Sequence, residues 1–437
     1  MPRQAYRGSL FHLTGDPEAD PAAITAFDDG VLVVEDGHVA EAGAWDALAP
    51  HLGSTPVERV GGFIVPGFVD SHVHYPQLEI MASPGARLLE WLSHYAFAAE
   101  AKFDHREVAA EAARFFLDQL LANGTTSALV CTTAHKVSAE ALFEEAFARN
   151  MRIVSGKMLM DKNAPAGICD TAETGYQESR ALIKAWHGKG RLGYAVTPRF
   201  ALTSSERQLE LAGRLLTEAP GVRLHTHLSE NAEELAAVRQ SFPDCPDYLA
   251  VYEKFGLVTP HSVFAHCLHL SPGEWKRLTK RGANVVFCPT SNLFLGSGLF
   301  DLAAAAGVHV GLGSDVGAGT SLSLLATMNE AYKIYAMLRR AVDAFKLFYL
   351  ATLGGARALG LDDKIGNFEP GKEADFLVLD GRALPLLARR LAAAHGAAEK
   401  LFAFAMLGDD RAVERTYVAG TLVYRRQSAN SPTDSSA

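Results

Sequence analysis

Cysteine is scarce in this 437-residue chain: there are five, at Cys131, Cys169, Cys245, Cys267 and Cys288, odd in number and scattered. No Cys-x-x-Cys pair occurs, so neither a disulfide framework nor a zinc knuckle is indicated, and a reducing cytoplasm fits. Cys131, Cys267 and Cys288 each sit in an apolar, strand-like run and are expected to be small core residues. No run approaches the roughly 18 apolar residues of a membrane span. The start, Met1-Pro2-Arg3-Gln4, has no apolar stretch of the signal-peptide kind, so the expectation is a cytoplasmic protein. Lys and Arg form no stripe, and the formal net charge is -9. Nucleic acid and anionic membrane are therefore poor partners. No Gly-x-Gly-x-x-Gly opens the first helical segment, which disfavours a dinucleotide-binding open sheet.

What is present is ample apolar residue for a large core, 48% of the chain. The length exceeds an ordinary single domain unless it is an α/β barrel with a satellite. Residues 1–62 read as short strands and turns. The runs 31–34 and 38–40 flank Asp36-Gly37, a hairpin signal. Similar chemistry returns at 374–379, then at 416–418 and 422–424 around Ala419-Gly420. Two β-rich ends, 1–62 and 369–426, predict one small composite β domain built from both termini. The Ser/Asn/Pro/Asp-rich tail, 427–437, is expected to be disordered. Between the ends, 63–368 alternates. Strand-like runs fall at 68–74, 125–133, 152–161, 191–200, 223–229, 262–269, 284–291 and 309–316. Helix-period segments such as 106–122, 139–148, 206–216 and 232–242 separate most of them. Eight strands with helical crossovers predict the α/β class and a (β/α)8 TIM-like barrel. There is no internal repeat beyond this alternation.

The chain is organised around Phe68-Val69-Asp70-Ser71-His72-Val73-His74, entered by a Pro66-Gly67 turn and ended by Pro76. His72 and His74 are two apart, and side chains alternate faces along a strand, so both imidazoles point the same way. An isolated His-x-His is more often a pair of satisfied histidines than a metal site. Here further ligand types recur at later strand ends: Leu224-His225-Thr226-His227-Leu228-Ser229-Glu230, Phe264-Ala265-His266-Cys267, and Gly311-Leu312-Gly313-Ser314-Asp315. In a barrel these ends share one rim, where catalysis occurs. A nitrogen and carboxylate donor set suits zinc or iron(II). His225 lies one layer deeper than His227 and reads as a core or supporting histidine. His261 and His269 read as loop or cap residues, and Trp91 as packing.

From about Gly61 to Asp380, with the flanking β domain, the chain resembles the amidohydrolase superfamily of metal-dependent hydrolases. Within it, the closer likeness is to the guanine deaminase family. The segments that carry it are Asp70–Gln77, Leu88-Leu89-Glu90-Trp91-Leu92, Thr197-Pro198-Arg199-Phe200 and His227-Leu228-Ser229-Glu230, with Gly156-Lys157-Met158 through Asp161 less specific. One departure lies in the loop expected after Trp91, where Ala98 stands at a position usually held by Pro. The resemblance implies that His72, His74, His227 and Asp315 bind one divalent ion, zinc by preference. Glu230 would be the acid/base, and His266 would orient the water. Glu230, His266 and Asp315 would form the catalytic set, and Gln77, Arg199 and Phe200, with Glu230 and His266, would hold the purine base. The same resemblance implies a homodimer.

The chemistry agrees. Deamination adds water to an amidine-like carbon and expels ammonia, and water is a poor nucleophile until a metal lowers its pKa to roughly 7. Glu230, about one helical turn beyond His227, can move the proton, and Asp315 can accept a second. Arg199 offers a fork of donors suited to a carbonyl oxygen; the competing role for it is a rim salt bridge. Two metals bridged by a modified lysine are disfavoured, because the fourth strand ends Val196-Thr197-Pro198-Arg199 and Lys157 lies on the third, where an ion-pair role is expected. The unrelated zinc deaminases with a Pro-Cys-x-x-Cys signature are excluded. The rival functions are an aminohydrolase of another purine, a pterin or a triazine, and a binding or scaffold protein on a retained barrel. The intact ligand set argues against the scaffold.

Overall fold

In the computed structural model, which describes residues 2–85 and 87–427, eight parallel strands run in sequence order around a barrel. They are Phe68–His74, Thr125–Cys131, Arg152–Gly156, Gly193–Pro198, Arg223–Leu228, Ser262–His266, Asn284–Phe287 and His309–Leu312. A two-residue strand, Met158–Leu159, pairs beside the fourth. Two backbone hydrogen bonds bring the last strand's extension back to the first, His74 N to Val316 O at 2.8 Å and Asp315 N to His72 O at 2.9 Å. Closure is thus made at the rim, where the histidines are. Asp70 reinforces it from below, accepting from the Ser314 amide at 3.0 Å and the Ser314 hydroxyl at 2.5 Å.

Helices Arg106–Ala122, Lys136–Ala148, Ala172–Trp186, Glu206–Glu218, Ala232–Ser241 and Pro272–Arg281 follow successive strands. Val69, Leu129, Val154, Ala195, Val263 and Val286, one from each of six strands, form a buried apolar cluster closed by Ala356, Leu359 and Ile365. The barrel is therefore a packed core with chemistry confined to one end.

The first strand has the expected bounds, and the other seven are shorter than the apolar runs suggested. The third stops at Gly156, and the sixth stops at His266, where His266 and Cys267 turn left-handed (φ 72° and 55°). Pro289 opens a helix, Pro289–Phe294, where 284–291 had been expected to continue as strand. Proline at a first helical position fits its locked φ and missing N–H.

A second sheet holds seven strands, ordered Thr421–Arg425, Val413–Val418, Phe376–Leu379, Val57–Pro66, Gln4–Leu13, Ile24–Glu35 and His38–Ala44. Both ends of the chain build it, as expected. Asp36-Gly37 (φ 49° and 80°) and Ala419-Gly420 (φ 45° and 73°) make its tight hairpin turns, the left-handed pair such two-residue turns require. The C-terminal part is not all β: helices Pro385–Ala392 and Gly396–Leu407 intervene between its strands. Arg191 fastens barrel to sheet, donating from Nη2 to Glu373 Oε2 at 2.6 Å and Asp375 Oδ2 at 2.7 Å. Residues 428–437 of the tail expected to be disordered lie outside the described residues. Among the described residues the five cysteines are unpaired, with Cys131, Cys267 and Cys288 buried, and no helix is long and apolar enough to cross a membrane.

Candidate active site

The rim gathers His72 and His74 from the first strand, His227 from the fifth, His266 from the sixth and Asp315 from just beyond the eighth. His72 Nε2 lies 3.1 Å from Asp315 Oδ1, and His74 Nε2 lies 3.5 Å from the same oxygen. His74 Nε2 and His227 Nε2 are 3.3 Å apart. His266 Nε2 is 3.7 Å from Asp315 Oδ2 and 3.4 Å from Glu230 Oε2. His72, His74, His266, Asp315 and Glu230 are all buried, and His227 is nearly so.

Three of the four rings, those of His72, His227 and His266, are held from behind. His227 donates from Nδ1 to the Arg199 carbonyl at 2.6 Å, so its Nε2 carries the lone pair. His266 Nδ1 lies 2.9 Å from Asn292 Oδ1, and His72 Nδ1 lies 2.7 Å from His225 Nε2. His225 is thus a supporting histidine one layer down, as its place on the strand suggested. Carbonyl and imidazole partners of this kind fix the tautomer and aim the other nitrogen. His72 Nε2 and His266 Nε2 are buried without a hydrogen-bond partner among the described residues. Burial, with the other histidines crowding alongside, holds His74 and His227 well below the ordinary imidazole range. Neutral imidazoles beside a carboxylate are the form a cation needs. Burial pushes Asp315 up, but the surrounding histidines outweigh it and keep that carboxyl ionised. The donor set therefore fits a divalent metal.

Glu230 lies just past the fifth strand and before the helix Ala232–Ser241. Ser229 turns left-handed (φ 53°), and Asn231 is the cap of the following helix. That turn delivers the carboxylate to His266. Positive φ at Ser229, His266 and Asp315 (53°, 72° and 49°) is locally unfavourable in non-glycine residues, and such strain clusters where side chains must be aimed. Burial raises Glu230 to about 7, against the pull of His266. Glu234 pins the turn: Oε2 accepts from the Glu230 and Asn231 amides at 2.8 and 3.2 Å, and Oε1 accepts from the Tyr248 hydroxyl at 2.7 Å.

Gln77, Arg199 and Phe200 line the same cavity as His74, His227, Glu230, His266 and Asp315. Arg199 is no rim salt bridge. It is buried, and its Nη1 donates to both oxygens of Glu100, at 2.9 and 2.7 Å. Trp91, read as packing, is buried and also lines the cavity with Leu88 and Leu92. The segment around Ala98 is helical rather than a loop. Leu88–Trp91 and Phe97–Ala101 are α-helical and joined by a π-turn, Leu92–Ala96, closed by Phe97 N–H to Leu92 O. The buried face steps five residues, from Trp91 to Ala96 and from Leu92 to Phe97, then reaches Glu100, while Ala98 faces solvent. A single π-turn supplies that extra residue. Glu100, Glu234 and Asn292 were not singled out from the sequence. The available signal was a carboxylate at 100 within an apolar helix, which calls for a buried cation. Lys157 is a buried ion-pair partner of Asp170 at 2.6 Å and Glu178 at 3.2 Å, in line with the role expected of it.

Comparison with known proteins places these features. The model of the Amidohydrolase family matches residues 63–423. A guanine deaminase of Escherichia coli (strain K12) is 48% identical over 430 residues, covering 97% of this chain and 98% of that protein. The solved structure of E. coli guanine deaminase superposes with a TM-score of 0.94, covering 97% of this chain and all of that one (100%). A guanine deaminase from C. acetobutylicum, solved with guanine bound in its active site, is 28% identical with a TM-score of 0.89 over 97% of this chain and 100% of that one.

Proposed function

The chain belongs to the amidohydrolase family, and we propose that it hydrolyses guanine to xanthine and ammonia. One observation carries this reading: a guanine deaminase is 48% identical to it over 97% of its length. The cavity supports it by setting Gln77, Arg199 and Phe200 beside the histidine cluster.

His72, His74, His227 and Asp315 would hold one divalent ion, zinc by preference. When bound, such an ion supplies a Lewis acid that brings the pKa of water to roughly 7. The remaining work belongs to side chains. Glu230 takes the proton that water loses as its oxygen bonds to the amidine carbon, and returns it to the adjacent ring nitrogen. Burial, which raises this carboxyl above the ordinary range, suits a group that must both accept and return a proton. His266, 3.4 Å from Glu230 and 3.7 Å from Asp315, orients the water between them. Asp315 accepts the second proton from the newly bonded hydroxyl and passes it to the amino group, so that the carbon–nitrogen bond breaks and the group leaves as ammonia. Arg199 donates to the six-position carbonyl oxygen, and Phe200 covers the ring face.

A homodimer and a cytoplasmic setting complete the reading. The family resemblance supports the first, and five unpaired cysteines support the second. Ammonia release from guanine by the zinc-loaded protein tests the activity, and sedimentation tests the dimer.

A further inference from the structure

We propose that Glu100 is a positioning residue that makes this cavity selective for a neutral, carbonyl-bearing ring over an anion. The inference rests on the guanine reading above and deepens it.

Glu100 is fully buried behind two residues that line the cavity. Its Oε1 accepts from Gln77 Nε2 at 2.8 Å and from Arg199 Nη1 at 2.9 Å, and its Oε2 accepts from the same Nη1 at 2.7 Å. One carboxylate thus holds both purine-facing side chains. Arg199 Nη1 is committed to Glu100, whereas Nε and Nη2 make no hydrogen bond among the described residues. The Arg199 guanidinium carbon also sits 5.4 Å from the Phe97 ring centroid, within cation–π range. Gln77 Oε1 accepts from the Gly317 amide at 3.2 Å. With an acceptor on one side of the amide and a donor on the other, only one orientation satisfies both, so Gln77 is preset as well.

A guanidinium buried in a cavity wall demands a counter-charge. Without Glu100, the best counter-charge would be an anionic ligand. Glu100 supplies it from within the protein, so the Arg199–Gln77 wall of the cavity offers oriented donors with little net charge. A neutral carbonyl oxygen can accept from Nη2 with no ion to displace. A purine that has lost a proton gains little from Arg199, because Glu100 opposes it. Xanthine ionises more readily than guanine, so the same carboxylate that seats the substrate favours departure of the product.

The test is Glu100→Gln, which keeps side-chain length and an acceptor for Gln77 but removes the charge. Metal content stays at the native level. The KM for guanine rises about tenfold, the scale of a lost charge-assisted contact, with a smaller change in kcat. Inhibition by xanthine, measured in mildly alkaline buffer, strengthens several-fold. Glu100→Asp restores the charge and returns xanthine inhibition toward the native value. Native guanine KM with native xanthine inhibition in Glu100→Gln overturns the proposal, as does a loss confined to kcat and metal content. If the single variant does not fold, the pair Glu100→Gln/Arg199→Gln removes both charges and is compared with Arg199→Gln alone. Most of the Glu100 effect on KM disappears in that background if it acts through Arg199, and its full persistence refutes the inference. Native protein that leaves guanine untouched defeats the functional reading itself. Native protein that consumes guanine, with variants that do not split KM from kcat, defeats only this inference.

Discussion

His266 Nε2 stands 3.4 Å from Glu230 Oε2, and neither side chain is exposed to solvent. Burial raises the carboxyl to about 7 while the imidazole restrains it. A group in that balance can take a proton and give it back within one turnover.

Glu230→Gln keeps the shape and removes the proton carrier. Turnover falls by about 10²–10⁴-fold, the usual contribution of a positioned acid/base. Metal content and guanine binding stay near native. Steady-state kinetics with elemental analysis and equilibrium binding check this, and near-normal turnover would remove Glu230 from the proton path.

Metal is the second expectation. Elemental analysis gives one divalent ion per chain, zinc by preference, and exhaustive chelation abolishes activity that added zinc restores. His74→Ala loses most of the ion, because it removes one nitrogen from a site that also needs an open position. Two ions per chain would contradict the donor assignment.

His225 never reaches the cavity, yet its Nε2 lies 2.7 Å from His72 Nδ1. His225→Phe fills the same layer without that contact. Metal affinity falls about 10–100-fold, the customary cost of a lost outer-shell partner, and excess zinc recovers turnover. Competition with a chelating dye measures it.

Away from the site, Arg191 is buried between Glu373 and Asp375. Asp375→Ala strips one partner from a buried cation, which costs about 3 kcal/mol. It also removes the acceptor for the Ala419 amide at 2.8 Å. Urea unfolding shows the loss as a lower midpoint, with turnover of the folded fraction unchanged.

Much of this was written in local patterns. Eight apolar runs with helical spacers implied the barrel, and strand parity set His72 beside His74 and His227 above His225. Asp36-Gly37 and Ala419-Gly420 marked the hairpins that join the ends into one sheet. Strand ends were overestimated because the rim residues leave the ladder in order to face inward: His266 and Asp315 turn left-handed at φ 72° and 49°. The left-handed turn at Ser229 that carries Glu230 to His266 was not legible, because spacing alone does not reveal it. Glu100 stayed hidden for a different reason. Its face is set by the π-turn Leu92–Ala96, which a 3.6-residue period does not register, and its partners Gln77 and Arg199 are distant in sequence. Arg199 stood out as a candidate purine donor, but the carboxylate it donates to did not.

Substrate choice turns on the group at the six-position of the ring. Adenine puts an amino donor where guanine puts a carbonyl, against an arginine that can only donate. Leaving that buried donor unpaired costs at least about 1–3 kcal/mol. Arg199→Ala therefore raises the KM for guanine and lowers turnover while metal content is unchanged. Guanine kinetics identical to native in that variant would remove Arg199 from recognition.

The most direct measurement is ammonia release by the zinc-loaded protein from guanine, adenine, cytosine, pterins and triazines under one set of conditions. The account predicts one equivalent of ammonia and one of xanthine from guanine, with little from the others. Preference for any other member of the panel, or no release from guanine by folded, metal-replete protein, would contradict it.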